Sequence, residues 1–277
     1  MNKLILRLCM LTIVLLVPVV ASAQDGDALH PLLESRWTVN VGAFFPDQNF
    51  QLKANGALPG DEVDFDERVG VSNSETTPVL TARWRFGEKW SLWGQAWRTE
   101  NSGKAELVED VEWQDLVFAA GTNVAGGIDT SVVRIFAGRT MLSGPRHELG
   151  IGLGLHWFEI EAYLQGDVLT SEGDLSFARS SADAALPLPN IGGWYHFALT
   201  DRWLFEVQLD WLSASVGDYS GSLLNGAIGV QWQLMKNVGV SLKYQGFQLN
   251  GDITKNSWRG GAELENRGAL LSITANW

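Results

Sequence analysis

The chain ends Ala269-Leu270-Leu271-Ser272-Ile273-Thr274-Ala275-Asn276-Trp277, and from Leu271 onward apolar and polar residues alternate without a break. Leu271, Ile273, Ala275 and Trp277 share one face, while Ser272, Thr274 and Asn276 share the other. Successive side chains of a strand point to opposite faces, so this segment is apolar on one side and polar on the other. A strand that crosses a membrane needs that division, with lipid on one face and a wet interior on the other.

The same period of two recurs upstream. Trp203, Phe205, Val207, Leu209 and Trp211 oppose Leu204, Glu206, Gln208 and Asp210. Ile228 to Leu234, Val238 to Tyr244, Trp37 to Phe45 and Leu80 to Phe86 alternate in the same way, and Leu149 to Trp157 sets large apolar residues against Gly150, Gly152, Gly154 and His156. A helix would spread these residues around its circumference, so the strand reading holds. The pattern predicts an all-β protein, a transmembrane antiparallel up-and-down β-barrel of about ten strands. These strands fall near residues 36–45, 78–86, 90–98, 131–142, 147–160, 190–199, 203–214, 223–234, 238–249 and 268–277. Weak segments at Phe50 to Lys53, Val63 to Val69 and Ala105 to Trp113 are read as hairpin extensions above the membrane or as a further strand pair, which would make twelve.

The connections have two lengths. Short turns fall at Gly87 to Lys89, Ser143 to Arg146, Thr200 to Arg202 and Lys236-Asn237, and longer polar segments at Asp47 to Thr76, Glu100 to Asp129, Gln165 to Pro189 and Asn250 to Arg267. Short periplasmic turns alternating with long external loops are the expected asymmetry of such barrels. The aromatics suit two interfacial girdles: Trp84, Phe86, Trp90, Trp203 and Trp277 near the short turns, and Trp97, Trp157, Trp211 and Tyr244 near the other ends.

The N-terminus reads as an address. Lys3 and Arg7 precede an apolar run from Leu8 to Val20, closed by Ala21-Ser22-Ala23. That is a signal peptide over residues 1–23 with a small-x-small cleavage site. Residues 24–277 then form one barrel domain, and Gln24 to Glu34 a short periplasmic arm. The single cysteine, Cys9, leaves with the signal, which removes disulfides and thiolate metal sites. Loss of Lys3 and Arg7 leaves 18 basic residues against 32 acidic ones, a net charge of −14. Acidity on this scale excludes nucleic acid as a partner. No other stretch is long and apolar enough for a membrane helix, so a membrane-resident chain must close into a barrel.

The terminal segment resembles the C-terminal strand of Gram-negative outer-membrane β-barrels. That resemblance implies that Leu271, Ile273, Ala275 and Trp277 form the signal read by the barrel-insertion machinery. Leu186-Pro187-Leu188-Pro189 and Gly217-Asp218-Tyr219-Ser220-Gly221-Ser222 are similar to segments of uncharacterised proteobacterial outer-membrane barrels. The likeness covers most of the mature chain and implies residence in the cell outer membrane, among lipid and lipopolysaccharide, without naming a substrate.

Inside such a barrel, Arg83, Arg85, Arg134 and Lys243 face Glu148, Glu206 and Asp210, with Gln208, Gln231, Gln233, Ser241, Ser272 and Thr274 between them. The tight turn at Thr200 to Arg202 predicts His196 opposite Glu206 and Trp194 opposite Gln208, and the turn at Lys236-Asn237 predicts Gln231 near Lys243. Arg83, Arg85, Arg134, His196, Glu206, Asp210 and Lys243 are therefore the candidate lumen residues. Ten strands leave little more room than side chains fill. Two readings follow: a closed structural or surface-interaction barrel with acidic external loops, or a narrow channel for a small solute through a charged lumen.

Catalysis, cofactors and metals are not expected. His156 and His196 point inward at different heights, and no serine is placed beside the His196–Glu206 pair. The omptin proteases and lipid A deacylases are enzymes on comparable barrels, and their active-site motifs find no match in this sequence. Gly150-Ile151-Gly152-Leu153-Gly154 has no helix after it, as a nucleotide loop requires, and reads as inner-face space for larger side chains opposite. Asp61 to Glu67 and Glu106 to Asp115 are acidic enough to bridge to lipopolysaccharide through divalent cations, but match no calcium loop.

Overall fold

The computed structural model describes residues 28–55, 62–64, 76–107, 110–113, 116–169, 175–216, 219–255 and 258–277. The expected signal at 1–23 and the first residues of the arm, 24–27, lie outside them.

Alternation dictates ten long strands, and all ten form. They are β1 (Trp37–Asn55), β3 (Thr77–Phe86), β4 (Trp90–Glu106), β7 (Asn123–Gly144), β8 (His147–Leu169), β9 (Leu175–Ala198), β10 (Trp203–Val216), β11 (Tyr219–Met235), β12 (Val238–Lys255) and β13 (Trp258–Asn276). Three short strands accompany them: β2 (Glu62–Asp64), β5 (Val111–Trp113) and β6 (Leu116–Phe118). Each long strand pairs antiparallel with its neighbour in sequence, and β1 pairs with β13 from Thr38↔Asn276 to Asn55↔Arg259. The ring is therefore closed on ten strands. Closure leaves no strand edge in the membrane, which satisfies the backbone where water is absent.

Among the described residues the weak segments add no strand to the ring, and residues 65–69 and 108–109 of them lie outside the described residues. Phe50 to Lys53 continues β1, Val63 and Asp64 lie in β2, Ala105 and Glu106 finish β4, and residues 111–113 form β5. Much of the expected external loop is likewise strand: β8 runs 23 residues and β9 runs 24, against the ~9–11 that cross a bilayer. The wall thus rises well past the apolar belt. It also parts there, because the β9–β10 ladder stops at Ile191↔Trp211. Pro189 and Pro187 follow on β9 and bring no N–H to a ladder.

Outward faces carry the belt that the alternation predicts. Leu153 and Ile273, at 68% and 63% exposure, are among many large apolar side chains on the outer surface. At the end that carries the short turns Trp37 stacks on Trp84 with centroids 5.5 Å apart, and Trp203 on Trp232 at 5.8 Å. Trp97 departs from expectation. Trp90 and Leu92 are exposed on β4 while Ser91 and Trp97 are buried, so the register turns Trp97 into the lumen rather than the outer girdle.

Candidate functional site

The barrel interior is layered. At the mouth that carries the short turns the arm folds back into the opening, with Pro31–Leu33 forming one short 3-10 turn. Leu32 and Leu33 pack on Ala198 and Leu204, and the backbone N–H of Leu29 donates to the carbonyl of Pro145 at 2.6 Å. Two lumen arginines hold the turn from above. Arg83 Nη2 donates to the Leu32 carbonyl and Arg85 Nη1 to the Leu33 carbonyl, each at 2.5 Å. His30 is buried, and its Nδ1 accepts from the Leu32 N–H at 3.3 Å. Burial lowers the His30 pKa from its ordinary 6.5, offset in part by the Arg202 backbone and by the charges of Glu206 and Asp201.

Above the arm lies the lower ionic layer. Glu148 accepts from Arg85, with which it forms an ion pair, and from Trp194 Nε1 at 2.7 Å. Lys243 Nζ donates to Glu206 Oε2 at 2.8 Å. His196 stands between the acids, its two nitrogens 3.9 Å from Glu148 and from Glu206. Arg83 lies under the Trp93 ring, 5.1 Å from its centroid. Glycines on the inner faces of β7 and β8 make this layer possible: a Cβ on Gly138 of β7 or Gly150 of β8 would run into the Trp194 ring.

The middle layer is a second, separate pair. Arg134 meets Asp210 through Nε and Nη2, both at 2.7 Å. Asn225 also donates to Asp210 at 2.8 Å, and His156 Nδ1 is 3.0 Å from Asn190 Oδ1. Every candidate lumen residue read from the sequence thus faces inward, but as two clusters rather than one. Arg83, Arg85, His196, Glu206 and Lys243 gather below; Arg134 and Asp210 pair above. The registers His196↔Glu206 and Trp194↔Gln208 stand as the turn predicts. Gln231 lies opposite Ser241 and Lys243 opposite Gly229, which leaves Gln231 and Lys243 diagonal neighbours on one face, with a one-residue shift of the ladder between Gln233 and Met235.

The outer layer is apolar, which the sequence reading missed. Phe44 from β1, Trp97 from β4, Phe158 from β8 and Phe247 from β12 meet across the lumen. Phe247 stacks on Phe158 at 6.0 Å and meets Trp97 edge-on at 5.7 Å. The signal was present as aromatics at inward positions, masked by polar residues elsewhere on the same faces.

On the outside, the register aligns four acids. Glu100 lies opposite Asp129, Asp129 opposite Glu161, and Glu161 opposite Asp183. Arg98 reaches Glu100 at 2.9 Å and Asp129 at 3.3 Å. On β8 the row begins just beyond Trp157, where the apolar alternation ends. Leu271, Ile273, Ala275 and Trp277 all lie on the outward face of the β13 end, with Ser272, Thr274 and Asn276 buried inward.

The sequence matches no family model and no curated protein. Solved structures are similar to this chain to different degrees. The outer membrane protease OmpT from Escherichia coli superposes with a TM-score of 0.52 at 10% identity, covering 87% of this chain and 97% of OmpT. The toluene transporter TodX of Pseudomonas putida gives 0.37 at 8%, covering 92% and 95%. Ail of Yersinia pestis, crystallised with a heparin analogue, gives 0.28 at 12%, covering 86% and 99%. Only the first is close enough to bear weight, and at that identity it speaks for the fold alone. Closed ring, apolar outer face and this likeness together define the class: a Gram-negative outer-membrane β-barrel. Its place is the cell outer membrane.

Proposed function

We propose that this protein is a sealed barrel with a structural or surface-interaction role, and that its work lies on the outer surface rather than through the lumen. The carrying observation is the filled interior: arm, ionic layer, second ion pair and aromatic layer follow one another from mouth to rim. A conducting path needs continuous wet space, and an apolar constriction of four aromatics opposes it. Strands that extend past the apolar belt and the row Glu100, Asp129, Glu161 and Asp183 supply an acidic surface that meets anionic lipopolysaccharide through bridging divalent cations, or meets other envelope components. The role is non-catalytic in this reading. Export through the 1–23 signal and insertion through the Leu271 to Trp277 strand belong to the same proposal.

The second reading is a narrow channel for a small solute. It is favoured by the cavity of about 50 Å³ between the arm and the middle layer, lined by Arg83, His196, Glu206 and Lys243. Swelling of proteoliposomes in small sugars and amino acids separates the two. The sealed barrel gives no swelling above empty liposomes; swelling that rises with protein load overturns it.

A further inference from the structure

The lower ionic layer holds three cations, Arg83, Arg85 and Lys243, against two carboxylates, Glu148 and Glu206. Arg85 is paired with Glu148, and Lys243 with Glu206. Arg83 is the third cation on two acids, with Nη1 3.7 Å from the already shared Glu148 Oε1. Its side chain is 3% exposed, so the layer's surplus positive charge is buried, and a buried charge that its acids only partly neutralise is costly.

The donors point the same way. Arg83 spends Nη2 on Leu32, but its Nε and Nη1 are buried without an acceptor, as are Trp93 Nε1 and Gln245 Nε2. Arg83, Trp93 and Gln245 all line the cavity. Unmet buried N–H groups together with one surplus positive charge are what an anion satisfies.

We propose that this cavity is a binding site for one small monovalent anion of halide size, held by the Arg83 guanidinium with N–H donors from Trp93 and Gln245. One negative charge balances the layer, whereas a dianion would overshoot it. The space of about 50 Å³ suits a small ion. Glu206 Oε1 also lines the cavity without a donor, and Lys243, bonded to its partner oxygen, screens it. The ion therefore sits toward Arg83. The site lies beneath the aromatic layer and above the arm, so it is loaded when the barrel folds or when the arm loosens.

Bromide is the probe. The full mature chain is refolded in sodium bromide, crystallised, and measured at the bromine absorption edge, with unfolding midpoints compared in bromide and gluconate at equal ionic strength. The expected result is one anomalous peak beside Arg83 and a saturable upward shift of the midpoint in bromide. Gln245→Leu, which leaves the arm contacts intact, weakens both; Arg83→Gln abolishes both. A bromide-refolded protein with no peak in the cavity overturns the proposal, as does a peak undiminished in Arg83→Gln. A conducting barrel that still carries the peak would overturn the sealed-barrel reading and leave this site standing.

Discussion

Arg134 and Asp210 meet from opposite parts of the wall in a two-point pair, Nε and Nη2 each 2.7 Å from one carboxylate oxygen, with side chains 3% and 0% exposed. Asp210 also takes a hydrogen bond from Asn225, so its lone pairs are well used. Removing one partner strands the other charge in the lumen. Arg134→Met is expected to cost about 3–5 kcal/mol, and the double variant Arg134→Met with Asp210→Leu much less. Urea unfolding in lipid vesicles, followed by tryptophan fluorescence, checks both. Equal losses in the single and double variants would contradict the pairing.

The arm is a stopper held by burial as well as by arginines. Leu32 and Leu33 are buried against Ala198 and Leu204. Truncation of buried leucine to alanine costs about 2–5 kcal/mol. Leu32→Ala is expected to speed amide exchange over residues 28–36 while β7 and β8 stay protected. Uniform exchange across the barrel would show that the arm and wall are one unit.

Docking of the arm should also weaken in acid. His30 has its pKa lowered in the folded protein by burial, from an ordinary 6.5. The released arm thus binds a proton more readily than the docked one, and stability rises with pH through this window. Docking is fully favourable above about 6.5 and declines as pH falls from there toward the folded value. Protection over residues 28–36, taken relative to the intrinsic exchange rate at each pH, should fall from pH 7.5 to pH 5 in the wild type and change little in His30→Asn, which keeps a capping acceptor. A flat wild-type profile would remove His30 from the account.

Like charges directly opposite one another on a sheet are unfavourable by roughly 0.2–1 kcal/mol per pair. Glu161 faces Asp129 on one side and Asp183 on the other. Glu161→Gln is therefore expected to stabilise the barrel, more at low salt than at high. Heat-modifiability on gels at two salt concentrations reads the effect. Destabilisation would mean that the row is held by cations in the membrane.

The sequence revealed the lipid-facing half of this protein better than its interior. Lipid demands apolar residues at every outward position, so Leu149 to Trp157 or Trp203 to Trp211 could hardly be misread. The His196↔Glu206 pair followed from a tight turn alone. Trp97 was misassigned because tryptophan suits either side of a wall, and only its neighbours Trp90 and Leu92 fix the parity. Strand ends above the bilayer were hidden, since Glu159, Glu161 and Asp183 face water and carry no apolar period. The irregularity at Gln233 to Met235 leaves no clear mark in composition, so the exact partners of Gln231 and Lys243 could not be read, only that they are neighbours. Pro31-Leu32-Leu33 was too short to announce that it packs anywhere.

Single-channel recording of the folded, heat-modifiable protein in a planar bilayer decides whether the lumen is sealed. A sealed lumen leaves the membrane silent at every voltage, with folding confirmed on the same sample. Discrete conductance steps whose ion selectivity changes on Arg83→Ala or Glu206→Ala would contradict it and make the lower ionic layer a filter.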